Sequence, residues 1–66
     1  MTLIQLEYIV ALDTYRNFGL AAEKSFVTQP TLSMQIQKLE DELGVKIFDR
    51  SKKPVLPTDV GKEIIE

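Results

Sequence analysis

Leu32, Ile36, Leu39 and Leu43 recur at i, i+4, i+7 and i+11, a narrow apolar stripe at helical spacing. The stretch that holds them, T-Q-P-T-L-S-M-Q-I-Q-K-L-E-D-E-L-G over residues 28–44, begins and ends with helix signals. Thr28 offers an N-cap hydroxyl, and Pro30 falls in the first turn, where its missing N–H is harmless. Gly44 follows the last apolar residue, where a left-handed C-cap favours glycine. The face across from the stripe carries Pro30, Thr31, Met34, Gln37 and Lys38, with Gln29, Ser33 and Gln35 on its flanks. Before Lys38 that face holds no charge. A merely solvated helix face is more often rich in Glu and Lys; amides, hydroxyls and a thioether are groups that can meet base edges in a major groove.

The rest of the chain supplies further short elements. Thr2 and Gln5 have the spacing of a capping box, which predicts a first helix from Leu3 to about Tyr15. Leu3, Leu6, Ile9 and Val10 form one apolar face of it, and Ile4, Tyr8, Leu12 and Tyr15 lie across from them. A helix apolar on both sides needs two burials: the core takes one, and the other requires a second partner. Asn17 and Gly19 break the pattern, and a short second helix is expected over Leu20 to Ser25, with Ala21 and Ala22 permitting close approach. Phe26 and Val27 then make an apolar turn. After Gly44, Val45, Ile47 and Phe48 predict a short strand, S-K-K-P a turn, and Val55–Leu56 a second strand. Pro57 cannot donate to a ladder, so that strand ends there or lies at an edge. Thr58 and Asp59 can cap and charge a fourth helix containing Val60, Ile64 and Ile65. Ending at Glu66, that helix is too short to stand alone. The chain therefore reads as a domain over residues 1–57 and, over 58–66, the start of a helix belonging to a longer protein.

Composition narrows the chemistry. Sixty-six residues allow one small domain, and the apolar share of 44% is that of a folded chain. With no cysteine and no histidine, disulfides, thiolate metal sites, zinc and the commonest general base are all excluded. Glu40, Asp41 and Glu42 are consecutive and point in different directions around a helix, so no catalytic carboxylate pair and no enzyme is expected; nor is any metal or cofactor. No apolar run approaches the ~20 residues that span a bilayer, and the N-terminus lacks a basic leader, so no membrane is expected and the expected location is the cytoplasm. The net charge of −2 counts against nucleic acid if only totals matter. Distribution matters more: K-I-F-D-R-S-K-K, residues 46–53, holds four of the eight basic residues against one acid.

Two helices joined by a tight turn, the second polar on its outer face, make a helix-turn-helix, and a ribbon with a basic tip adds a wing. The predicted fold is mainly α: a winged helix-turn-helix with a three-helix core, a two-stranded ribbon and the start of a further helix. Double-stranded DNA fits it. Thr28, Ser33 and Gln35 can donate to the phosphate backbone, and Arg50, Lys52 and Lys53 supply the electrostatic attraction. The alternative is a winged helix that uses the same polar face for a protein partner.

The run A-A-E-K-S-F-V-T-Q-P-T-L-S-M-Q-I-Q-K-L-E-D-E-L-G-V-K-I-F-D-R, followed by V-L-P-T-D-V-G, resembles the DNA-binding domain of LysR-type transcriptional regulators. L-E-Y-I-V-A-L, Q-P-T-L-S and K-L-E-D-E-L-G-V place it nearest the family's hydrogen-peroxide-responsive branch. The resemblance implies an N-terminal winged helix-turn-helix, a dimerising linker helix and a C-terminal effector domain. In the peroxide-responsive branch that last domain senses through cysteines, which this chain lacks. The full-length protein would be a homodimer or tetramer on a palindromic operator. By the same resemblance Gln29, Pro30, Thr31 and Ser33 match positions that meet DNA, Lys38 a position often basic, and Arg50 the arginine leading into the wing. Ile4, Tyr8 and Leu12 would pack on a linker helix begun by Val60, Ile64 and Ile65. Met34 and Gln37 depart from the family, where Arg is frequent, and Gly19 and Leu20 stand where some relatives are basic.

Overall fold

A computed structural model describes residues 2–65; Glu66, the last residue of the expected 58–66 segment, lies outside them. The elements run α1 (Leu3–Tyr15), α2 (Phe18–Lys24), α3 (Gln29–Leu43), β1 (Phe48–Asp49), β2 (Leu56–Pro57) and α4 (Asp59–Ile65). The predicted caps form as their chemistry requires. Gln5 N–H donates to Thr2 Oγ1 at 3.1 Å while Thr2 N–H donates to Gln5 Oε1 at 3.0 Å, closing a reciprocal capping box. Thr28 Oγ1 accepts from Thr31 N–H at 3.4 Å, and Gly44 ends α3 at φ 71°, in the left-handed region.

The second helix differs from the sequence-based expectation. It begins at Phe18, two residues earlier, because Asn17 is a cap and not a breaker: its Oδ1 accepts from Leu20 N–H at 2.8 Å. Gly19 therefore sits inside the first turn, and Ser25 is the C-cap. The strands also lie later than expected, β1 beginning at Phe48 instead of Val45 and β2 at Leu56 instead of Val55. Val45 and Ile47 precede β1 and Val55 precedes β2, with Phe48 paired to Pro57 and Asp49 to Leu56 in an antiparallel ribbon.

Ile9 and Leu12 of α1, Ala21 and Ala22 of α2, and Leu32, Ile36 and Leu39 of α3 meet in one core, closed beneath by Ile47, Phe48 and Val55. The alanines bring α2 against both neighbours, as their size suggested. The α1 faces were misdrawn from the sequence. The core takes Ile9 from one face and Leu12 from the other, together with Gln5, leaving Leu3, Ile4, Leu6 and Val10 exposed. Of the three residues expected to meet a linker helix, Leu12 is wholly buried in the core, Tyr8 is half-buried against it, and Ile4 is exposed. On α3 the stripe stops short of Leu43, which is 41% exposed; Glu40, four residues past Ile36, takes the buried place.

α4 is seated on the domain instead of standing off it. Thr58 N–H donates to Ile47 O at 2.9 Å, and Thr58 Oγ1 accepts from Gly61 N–H at 3.0 Å. Gly61 is buried where a Cβ would overlap the Ile47 carbonyl, so the helix backbone lies directly on the chain entering β1. Ile64 and Ile65 are half-buried against this domain's own core, while Val60 faces solvent. Three helices plus a two-stranded ribbon make this a winged helix-turn-helix.

The facing of α3 makes a direct stability test. Ile36→Ala leaves a cavity in the fully buried stripe and is expected to cost about 2–5 kcal/mol. Met34→Ala, on the exposed side, should change the urea midpoint little. Similar losses for the two variants would show that the helix is rotated from this description.

Candidate nucleic-acid interface

The N-terminal half of α3 presents the polar face. Thr28, Gln29 and Pro30 are exposed, Thr31, Ser33 and Gln35 are half-buried beside them, and Met34, Gln37 and Lys38 continue the face into solvent. The hydroxyls of Thr28 and Thr31 lie 2.8 Å apart, so each is held in place by the other. α3 also begins with backbone N–H groups that lack helical acceptors, which gives that end a partial positive charge.

Beside this end lies an open cleft of about 830 Å³, bounded by the α1–α2 junction, the start of α3 and the wing. Arg16, Phe18, Gln29, Arg50, Lys52 and Lys53 are among its walls, and no carboxylate lines it. A chain of net charge −2 thus places four of its cations around one concavity. Lys52 and Lys53, at the ribbon tip, are exposed. Among the described residues neither lysine is in an ion pair with a carboxylate, which leaves both for an outside anion.

Sequence reasoning missed Arg16 and Phe18, which fell in a stretch read as a break between helices. Arg16 is the C-cap of α1 at φ 56°. Its carbonyl accepts from Val55 N–H at 3.2 Å, and its guanidinium pairs with Asp13 at 3.1 Å. It ties the base of the wing to the first helix.

Glu40 was also missed as a working residue, having been grouped with the exposed acids that follow it. Its Oε2 accepts from Ile47 N–H at 2.7 Å and Phe48 N–H at 3.2 Å, and its Oε1 accepts from Arg50 Nη2 at 3.4 Å. The one available signal was spacing: 32, 36 and 40 continue the i, i+4 series onto the core side. Arg50, expected to supply attraction from the wing, directly follows β1, and its guanidinium is engaged within the protein. Nη1 donates to Ser33 Oγ at 3.1 Å, Nη2 to Ser33 O at 3.4 Å, and the group stacks 5.1 Å from the centre of the Phe18 ring.

With the fold and interface in place, the comparisons define the class. The profile described as "Bacterial regulatory helix-turn-helix protein, lysR family" matches residues 3–62. The chain belongs to this family. It is 50% identical over 66 residues to the hydrogen peroxide-inducible genes activator of Pectobacterium carotovorum, covering all of this chain and 22% of that protein. Among solved structures, full-length OxyR C199D from Pseudomonas aeruginosa superposes with a TM-score of 0.93 at 57% identity, over 98% of this chain and 22% of that one. The BenM_DBD/benA site 1 DNA complex gives 0.96 at 42% identity, over 98% of this chain and 73% of that one. The chain thus spans about a fifth of the length of the curated relatives it matches. No helix among the described residues is long and apolar enough to cross a membrane.

The wing tip carries a pH signature. Ser51 donates through its hydroxyl and its N–H to Asp49 Oδ1, which holds the Asp49 carboxyl below its usual 3.8, with Lys52 adding a smaller pull. A depressed carboxylate stabilises the fold at pH above its unfolded value and loses that effect as pH falls through the folded one. The tip should therefore be insensitive to pH from neutrality down to about 4 and loosen only below. In a carbon-detected NMR titration, Ser51→Ala should move the Asp49 midpoint upward toward the ordinary range. An unmoved midpoint would remove Ser51 as the cause.

Proposed function

We propose that the chain is the sequence-reading domain of a LysR-type transcriptional regulator and binds double-stranded DNA. The observation that carries this is the juxtaposition of an uncharged Gln/Ser/Thr face on α3 with a cleft lined by cations and free of carboxylates. The first suits base edges and the second suits phosphate, which is the division of labour in a winged helix on DNA. The 42% identity to a domain solved on a DNA site supports the reading. In it, Gln29, Pro30, Thr31, Met34 and Gln37 face the major groove. Thr28, Ser33, Gln35 and Lys38 flank the backbone, and Arg50, Lys52 and Lys53 come from the wing. Control of genes that answer hydrogen peroxide is the finer proposal, supported by the peroxide-inducible activator at 50% identity. With no cysteine here, the sensing chemistry would belong to another part of the protein.

The roles separate in experiment. Thr31→Val should change which bases a randomised-duplex selection recovers. Lys52→Ala should leave the preference intact, weaken binding across all sequences, and flatten the log–log salt dependence by about 0.9 for the lost phosphate contact. A Lys52→Ala variant with altered base preference, or a salt-independent affinity pointing to a protein partner, would contradict the assignment.

Assembly completes the proposal. Residues 58–66 would begin a linker helix that dimerises the protein, with Ile4 and Val60 as exposed apolar contacts and Leu3, Leu6 and Val10 flanking them on α1. Joining two domains makes the second half-site an intramolecular target, which can raise affinity roughly 10²–10⁴-fold without a new contact. A protein extended through that helix should bind a palindromic duplex by such a factor more tightly than this chain and should be dimeric. Equal affinity and equal mass for both would refute the linker assignment.

A further inference from the structure

The ribbon has two paired residues per strand, too few to fix its own direction relative to α3. Something else must aim it. Among the described residues, the chain entering β1 and the residue leaving it are both tied to α3 by polar bonds, and both ties end on one buried side chain. Glu40 Oε2 takes the N–H groups of Ile47 and Phe48, and Glu40 Oε1 takes Arg50 from the exit of the same strand. Arg50 then reaches along α3 to Ser33, two helical turns nearer the reading end, and lies against Phe18 of α2. The carboxylate is nearly solvent-free, and its arginine partner is about a third exposed.

We infer that Glu40 and Arg50 are a positioning pair for DNA recognition, setting the distance between the reading face of α3 and the phosphate-binding lysines of the wing. This rests on the proposed DNA binding. Arg50 suits the task better than Lys would, because its planar fork can satisfy Ser33 and Glu40 together while its face stacks on Phe18. In this role the positive charge of Arg50 is committed within the protein, and Lys52 and Lys53 carry the counterion-release attraction.

A positioning role and simple electrostatics give opposite signs for the loss of the Glu40 charge. Removing a negative charge beside DNA should tighten binding if charge alone matters. Glu40→Gln, which keeps the shape and one acceptor oxygen, should instead weaken binding by about tenfold, the scale of one lost charge-assisted hydrogen bond. Arg50→Lys retains the charge and should lose affinity comparably. In a double-mutant cycle Glu40→Gln and Arg50→Lys should be non-additive, because both break the same link.

The experiment uses a duplex selected from a randomised pool by the unsubstituted chain, with anisotropy measured over a salt series beside thermal melting of each variant. If the pool yields no enriched duplex and no salt dependence, the DNA-binding reading itself fails. Given a selected duplex, the expected result is weaker binding by both variants, a reduced ratio of selected to random duplex, and an unchanged salt slope. Tighter or unaltered binding by a folded Glu40→Gln overturns the inference. So does an Arg50→Lys variant with the affinity and discrimination of the parent. Should Glu40→Gln fail to fold, Arg50→Lys, at the more exposed partner of the pair, decides the matter alone.

Discussion

Glu40 is a carboxylate inside a domain of 66 residues, and a charge in that position survives only where hydrogen bonds replace the water it has lost. Two backbone N–H groups and a guanidinium supply them. The arrangement explains why so small a ribbon has a definite place. After Gly44 turns the chain out of α3 in a left-handed cap, the next segment must come back under the helix, and the N–H groups of Ile47 and Phe48 have no ladder partner at that point. Glu40 receives them. Ile47 and Phe48 are thereby set beneath the core, and Ile47 in turn offers its carbonyl to Thr58 and its backbone to Gly61, which seats α4. The recognition helix, the wing and the last helix are registered through a single buried acid.

How much of this the sequence shows depends on whether a signal is local. The span of α3 was legible from cap to cap, because Leu32, Ile36 and Leu39 lie on one side and its caps use the residue types that capping chemistry selects. α1 was legible as a helix but not in its facing. With leucine, isoleucine, valine and tyrosine around most of its circumference, periodicity offers no direction, and packing against α2 and α3 selects Ile9 and Leu12. Asn17 was misread because an N-cap and a helix breaker are the same residue types. Glu40 was hidden because its partners are backbone groups seven and eight residues on, which composition cannot reveal. Gly61 left a fainter trace: glycine inside a helix costs about 1 kcal/mol relative to alanine, which flags a close approach without naming the neighbour.

The uncharged polar face of α3 and the cationic wing tip are both legible in the sequence, since side-chain chemistry at fixed helical spacing is a local property. Their juxtaposition is not, and it is what gives an acidic chain a surface for an anion. The LysR-family profile matches residues 3–62, which span both features, while Leu3, Ile4, Leu6 and Val10 of α1 remain exposed on this domain. The charge balance then has a physical meaning. Acids on other faces keep the total negative, while the cleft between α2, α3 and the wing contains none.

Amide shift mapping shows which surface of the domain meets DNA. Isotope-labelled chain titrated with a selected duplex should show its largest perturbations from Thr28 to Lys38 and at the wing tip from Arg50 to Lys53, with Leu3 to Val10 of α1 unaffected. Saturable binding with perturbations confined to Leu3 to Val10, and none at the start of α3, would contradict it.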